Sequence, residues 1–145
     1  MPGVLLDTHA LYWLVSGEAE LADEALVAIG EGQEANALFV SPITAWELSI
    51  AAQKPRAEGR PHLGADPPAK WFREAVRATS ARVIPIRQRI SVLAGGVVTE
   101  TGHKDPGDCF LIASARAHNM TLITRDEVIL TIAEYFPGYL SVLRC

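Results

Sequence analysis

Apolar residues in this chain follow two rhythms. Short unbroken runs alternate with stretches in which apolar positions recur every three or four residues. Unbroken runs read as buried strands and the longer rhythm as helices packed by one face. Val4-Leu5-Leu6, ending in Asp7, predicts a first strand. A helix over Thr8–Val15 follows, with Leu11, Leu14 and Val15 at helical spacing. A second, acidic helix is expected over Ala22–Ile29, stopped by Gly30 and Gly32. Ala37–Val40 predicts a strand closed by Ser41-Pro42, and Ile43–Gln53 a helix.

Residues 54–68 (KPRAEGRPHLGADPP) are polar and rich in Pro and Gly, so a mobile loop is expected there. Pro68 opens a helix through Trp71, Phe72 and Val76. Arg82–Ile86 predicts a third strand, with a helix near Ile90–Leu93. Asp105-Pro106 starts another helix reaching about His118. Thr121–Thr124 predicts a fourth strand, 127–135 a short helix and Tyr139–Leu143 a closing strand.

Strands alternating with amphipathic helices indicate parallel βαβ units. The expected fold is a three-layer α/β sandwich with a mainly parallel sheet of four to five strands flanked by helices. No repeat or linker interrupts the pattern, so residues 1–145 are read as a single domain. In such sheets ligands gather beyond the carboxyl ends of the strands, which directs attention to the residues there.

Composition narrows the classes. With 145 residues, 49% apolar and 21% charged, the chain is neither disordered nor low in complexity. No apolar run reaches the roughly 18 residues that span a bilayer. The opening Met-Pro-Gly-Val-Leu-Leu-Asp lacks the basic leader of a signal peptide. Cys109 and Cys145 form neither a disulfide framework nor a metal-ligand spacing, so a reducing, cytoplasmic setting is expected. The net charge of -4 is unevenly distributed: residues 1–53 hold eight acids and no Lys or Arg, whereas all 13 basic residues lie beyond. Any surface that tracks phosphates must therefore come from residues 54–145.

Five acidic residues at four places along the chain carry the candidate chemistry. Asp7 ends the first strand, where it also suits a helix N-cap. Glu47 shares one helical face with Ile43, Trp46 and Ile50. A carboxylate on an apolar stripe needs a cation or hydrogen bonds, because burying it unpaired is costly. In Asp105-Pro106-Gly107-Asp108, Asp105 is the natural cap, and Asp108 shares a face with Leu111, Ile112 and Ala115. Asp108 is thus the functional candidate of that pair and Asp105 the second, with the helix dipole as the plainer role for Asp108. Asp126 follows the fourth strand and also suits a cap.

Brought together, such carboxylates would repel and could not all stay ionised in a dry site. A divalent cation resolves this, and oxygen-only ligands favour Mg2+ or Mn2+ over zinc. The chemistry a site of this kind supports is metal-assisted hydrolysis of a phosphodiester.

The segments "LLDTHALYW" (5–13), "SPITAWELSI" (41–50) and "HKDPGDCFLIASARAHNMTLITRD" (103–126), in this order and spacing, resemble the PIN-domain ribonucleases. Within these the resemblance is to the VapC-type toxins of type II toxin–antitoxin systems, and it covers nearly the whole chain. It implies a PIN-like fold and a Mg2+- or Mn2+-dependent endoribonuclease acting on an RNA substrate. It also implies a cognate antitoxin protein as inhibitor and a homodimer. The family's acids map onto Asp7, Glu47, the Asp105/Asp108 pair and Asp126 as metal-holding, catalytic residues. Two positions depart from related sequences: Gly107, where a bulky residue is common, and Cys109, where a basic one is common.

Other residues are given plainer roles. His9 is read as a helix-surface residue and His103 as a solvated loop residue, not as general bases. Thr8 and Ser41 are expected to orient the carboxylates, and Thr124 to orient a ligand or bond its own backbone. Lys104, Arg125 and Arg116, with Lys54, Arg56 and Arg60 in the loop, are candidate phosphate contacts or surface charges, Arg116 favouring the latter. Trp13, Trp46 and Trp71 are assigned to packing, and Cys109 to an inert buried thiol. An alternative function is a non-catalytic RNA- or partner-binding module with a structural cation site. A phosphoryl-transfer domain of the haloacid-dehalogenase type needs a second Asp where this chain has His9.

Overall fold

The computed structural model describes residues 2–55 and 60–145. Strands β1 (Val4–Leu6), β2 (Leu38–Val40), β3 (Arg82–Val83), β4 (Thr121–Thr124) and β5 (Val142–Arg144) form one sheet in the order β3-β2-β1-β4-β5. All its pairings are parallel. The helices are α1 (Thr8–Ser16), α2 (Asp23–Glu34), α3 (Pro42–Ala51), α4 (Pro68–Thr79), α5 (Gln88–Thr101), α6 (Pro106–Ala117) and α7 (Glu127–Tyr135).

Alternation along the central strands divides the core into two layers. Val4 and Leu6 of β1 and Ile123 of β4 face a cluster with residues of α1, α2, α3 and α4. Leu5 and Leu122 face the opposite cluster, built on α5, α6 and α7. The sheet is thus the middle layer of a three-layer α/β sandwich. Among the described residues no helix is long and apolar enough to cross a membrane.

Several boundaries differ from the sequence reading. Helix α2 runs through Gly30 and Gly32 to Glu34. A Cβ on Gly32 would stand 3.1 Å from the Val4 side chain and 3.4 Å from the Ala37 carbonyl, so this glycine permits close helix–sheet approach rather than ending the helix. Helix α5 is far longer than the four residues expected, passing through Gly95 and Gly96 and ending at Gly102 in the left-handed region. Its buried Ile90, Ala94 and Val97 belong to the core beside α6, and that packing overrides the weak propensity of the glycine pair. Strand β3 keeps only Arg82–Val83. It lies at the sheet edge, and Pro85 has no N–H to continue a ladder. The last strand begins at Val142, because Tyr139 closes a turn on the Phe136 carbonyl at 2.9 Å.

Candidate active site

The carboxyl ends of the two central strands carry Asp7 and Thr124. After Leu6 the Asp7 N–H still donates to the Ile123 carbonyl (3.1 Å), which ties the two strand ends together. Asp7 then caps α1: its Oδ1 accepts from the Ala10 N–H at 2.7 Å. Its Oδ2 accepts from the Thr124 hydroxyl at 2.5 Å. The Asp7 side chain is only 5% exposed, and that burial, the largest influence, pushes its pKa up against both hydrogen bonds.

Thr124 has a second task. Its hydroxyl oxygen accepts from the Asp126 N–H at 3.0 Å. Asp126 caps α7, its Oδ1 accepting from Val128 and Ile129 at 2.9 and 3.1 Å. Thr124 therefore bonds local backbone, one of the two roles expected of it, and also holds the Asp7 carboxylate.

Glu47 enters from α3. Ser41 caps that helix through the Ile43 N–H at 3.1 Å, with Pro42 in the first turn. Ser41 thus positions α3 rather than touching a carboxylate directly. Thr8, at the start of α1, donates to Glu47 Oε1 at 2.5 Å and lies 3.1 Å from the Thr44 hydroxyl. The expected orienting role of Thr8 is met, and Thr44 joins it. The helical face on which Glu47 sits is core-facing only at Ile43: Trp46 and Ile50 are each 48% exposed, while Thr44 and Leu48 are buried.

Helix α6 brings the remaining pair. Asp105 is exposed and caps it, accepting from the Asp108 N–H at 3.0 Å. Asp108 points inward and meets His103 Nε2 at 2.7 Å, with both side chains under one-fifth exposed. His103 is therefore no solvated loop residue. The folding back of the turn between α5 and α6 makes this contact, and no spacing rule signals it.

The acids act on one another. Burial, followed by the charges of Asp108, Asp105 and Asp7, lifts Glu47 to about 7 despite the Thr8 bond. Burial, with the charges of Asp105 and Asp126, lifts Asp108 to about 6 although His103 pulls it down. Asp126 also raises Asp7. The five carboxylates from α3, α6 and the ends of β1 and β4 are one electrostatic unit. Among the described residues, however, no three His, Cys, Asp or Glu side chains stand close enough to enclose one ion in these positions. The donor chemistry fits a hard divalent cation: every acid offers oxygen only, and a cation would offset both the burial and the mutual repulsion that raise Glu47 and Asp108.

The basic residues divide. Arg125 donates to the carbonyls of Cys145 and Glu20 and lies 4.4 Å over the Trp13 ring, so it is spent on structure. Arg116 stacks 3.7 Å over Tyr139 and donates to its carbonyl. Lys104 is exposed, and Lys54 and Arg60 border a groove beside Glu47 and Asp105. Arg56 lies outside the described residues. His9 is exposed, as expected. Cys109 is buried and its thiol pKa is pushed up by that burial.

The family model for the PIN domain matches residues 4–135. The chain belongs to the PIN domain family. Over 127 residues it is 29% identical to Ribonuclease VapC22 of Mycobacterium tuberculosis (strain ATCC 25618 / H37Rv), covering 88% of this chain and 89% of that protein. Its fold is similar to VapBC2 from Rickettsia felis bound to a promoter DNA fragment, with TM-score 0.67 at 15% identity over 98% of each chain. A toxin–antitoxin complex from Klebsiella pneumoniae is similar at TM-score 0.59 and 25% identity, over 97% of this chain and 96% of that one. The PIN-like architecture read from the sequence is the observed one.

Proposed function

We propose that this chain, as a single PIN domain over 1–145, is a divalent-cation-dependent endoribonuclease and the toxin of a toxin–antitoxin pair. The observation that carries the proposal is that Asp7 and Asp126 follow the ends of the adjacent strands β1 and β4 while Glu47, Asp105 and Asp108 come from α3 and the start of α6, near enough for Asp7, Glu47 and Asp108 each to be raised by burial and by the charge of others of the set. The family match and the likeness to a ribonuclease of the VapC type support it.

In this reading the five acids hold Mg2+ or Mn2+, and RNA is the substrate. When bound, such a cation supplies Lewis-acid stabilisation of charge on the phosphodiester. The chain's own residues prepare the place. Thr8 occupies one oxygen of Glu47 and leaves the other available, while Thr124 and the Ala10 N–H hold Asp7 in a fixed orientation. His103 restrains Asp108. Asp105 and Asp126 each commit one oxygen to a helix cap, so each has one to offer. The toxin–antitoxin complex among similar folds supports a cognate antitoxin protein as partner; this reading further has the antitoxin as inhibitor, a cytoplasmic setting and a homodimer.

The test is cleavage of a panel of structured RNAs with Mg2+, with Mn2+ and with EDTA, comparing wild type with Asp7→Asn. Metal-dependent cutting that the variant lacks is the expected result. Cation binding and RNA binding without cutting would instead indicate a binding module.

A further inference from the structure

The three tryptophans are used differently. Trp71 is 9% exposed and packs on Tyr12, with ring centroids 5.7 Å apart. Trp13 carries His9 at 5.3 Å and the Arg125 guanidinium at 4.4 Å. Trp46 is 48% exposed, and among the described residues no aromatic ring or cation stacks on it. It adjoins Glu47 in sequence and lines a groove of about 470 Å³ with Ile50, His9, Lys54 and Arg60. That volume is within the roughly 300–1,000 Å³ typical of small-molecule sites. Glu47 and Asp105 lie in the same groove.

We propose that this groove is a nucleotide subsite, in which a base of single-stranded RNA stacks on Trp46 while Lys54 and Arg60 draw in the flanking phosphates. The proposal rests on the ribonuclease reading, which brings the RNA strand to Glu47. An open aromatic face is what an unpaired base requires, since every base has a π face and stacking tolerates sequence. A base paired inside a duplex cannot reach it, so the subsite selects unpaired RNA. The residues 1–53 contain no Lys or Arg, and Lys54 is the first cation after that acidic stretch. Glu18, Glu47 and Asp105 also line the groove, so Lys54 and Arg60 are the lining cations that can meet a phosphate there. The aromatic and aliphatic faces of Trp46 and Ile50 are one helical turn apart on α3, so a base and its ribose have a continuous apolar floor.

The experiment measures binding of a short unstructured oligoribonucleotide in Mg2+, with all proteins carrying Asp7→Asn to prevent cutting. Trp46→Ala should weaken binding about tenfold. Trp46→Phe should stay within about twofold, because it keeps a π face. Trp46→Leu retains apolar bulk without that face and should behave like Trp46→Ala; its melting temperature checks that folding is intact. Binding of the same sequence as a duplex should not change. Trp46→Leu that binds the oligoribonucleotide as tightly as its parent overturns the subsite. So does a loss confined to binding of the protein partner, which would assign the groove to that partner. Wild-type chain that cuts RNA, together with Trp46→Leu that leaves binding in the Asp7→Asn background unchanged, loses the subsite alone. Failure to cut any RNA, with stacking on Trp46 retained, loses the ribonuclease reading alone.

Discussion

Gly107 and the Glu47 carboxylate are in direct apposition: a Cβ at 107 would stand 2.6 Å from Oε2 and 2.7 Å from Cδ. Real Cβ atoms do not come so close, so the glycine is what lets α3 place its carboxylate against the first turn of α6. Gly107 is one of the two positions noted as departing from related sequences. The departure acts on an acid of the candidate site itself, not on the helix alone.

Gly107→Ala should therefore displace Glu47 at little net cost to folding. The gain in helix propensity, about 1 kcal/mol, offsets part of a crowding cost of about 1–3 kcal/mol. Melting should shift by only a few degrees, whereas Mg2+ affinity by calorimetry should fall several-fold. Unchanged affinity would remove Glu47 from the cation's ligands.

Asp7→Asn should abolish metal-dependent cleavage and leave the metal-free fold as stable as wild type or slightly more so. Asn keeps the acceptor for the Ala10 N–H and removes a charge that burial disfavours, which offsets the lost Oδ2 acceptor for the Thr124 hydroxyl. Asp7→Ala should cost about 1 kcal/mol more through the lost cap. Denaturant melts in EDTA, alongside RNA cleavage, separate the two effects.

Thr8→Val removes the donor to Glu47 Oε1 and leaves the carboxylate without that partner. The expected cost is about 1–3 kcal/mol, and Glu47 should titrate higher still, because the Thr8 bond lowers it. Carboxyl carbon NMR reads the titration directly. A Glu47 signal unmoved by the substitution would show that the bond does not form in solution.

Without metal, stability should fall as pH rises. Glu47 holds its proton to about 7 against an ordinary 4.5, and Asp108 to about 6 against 3.8. Between about pH 4 and 7 the folded chain binds more protons than the unfolded chain, so raising pH favours unfolding. The contribution of these groups is fully present below pH 4 and is lost through the folded values. A divalent cation binds the ionised forms, so it should stabilise most above pH 7. Thermal melts from pH 5 to 8, with EDTA and with Mg2+, check both slopes.

The strands β1 and β4, the helices α1, α6 and α7, and all five acids are legible because their signals are local. Asp before Thr-His-Ala, Asp105 before Pro106 and Asp126 before Glu127 are caps, and the structure shows each to be one. The same locality misleads at Gly30 and Gly32, where glycine reads as a helix stop but α2 runs on, Gly32 packed against the sheet. It misleads again at Trp46 and Ile50, because periodicity shows that residues share a face without showing what covers it. The sequence determined the alternation of strands and helices, the caps and the positions of the acids, since each depends on neighbours within one turn or one strand. Only the tertiary structure decided that His103 meets Asp108, Thr124 holds Asp7, Thr8 reaches Glu47 and Gly107 makes room for it. Those contacts arise where helix ends and strand ends pack, and their geometry is set by the whole fold, not by any local spacing.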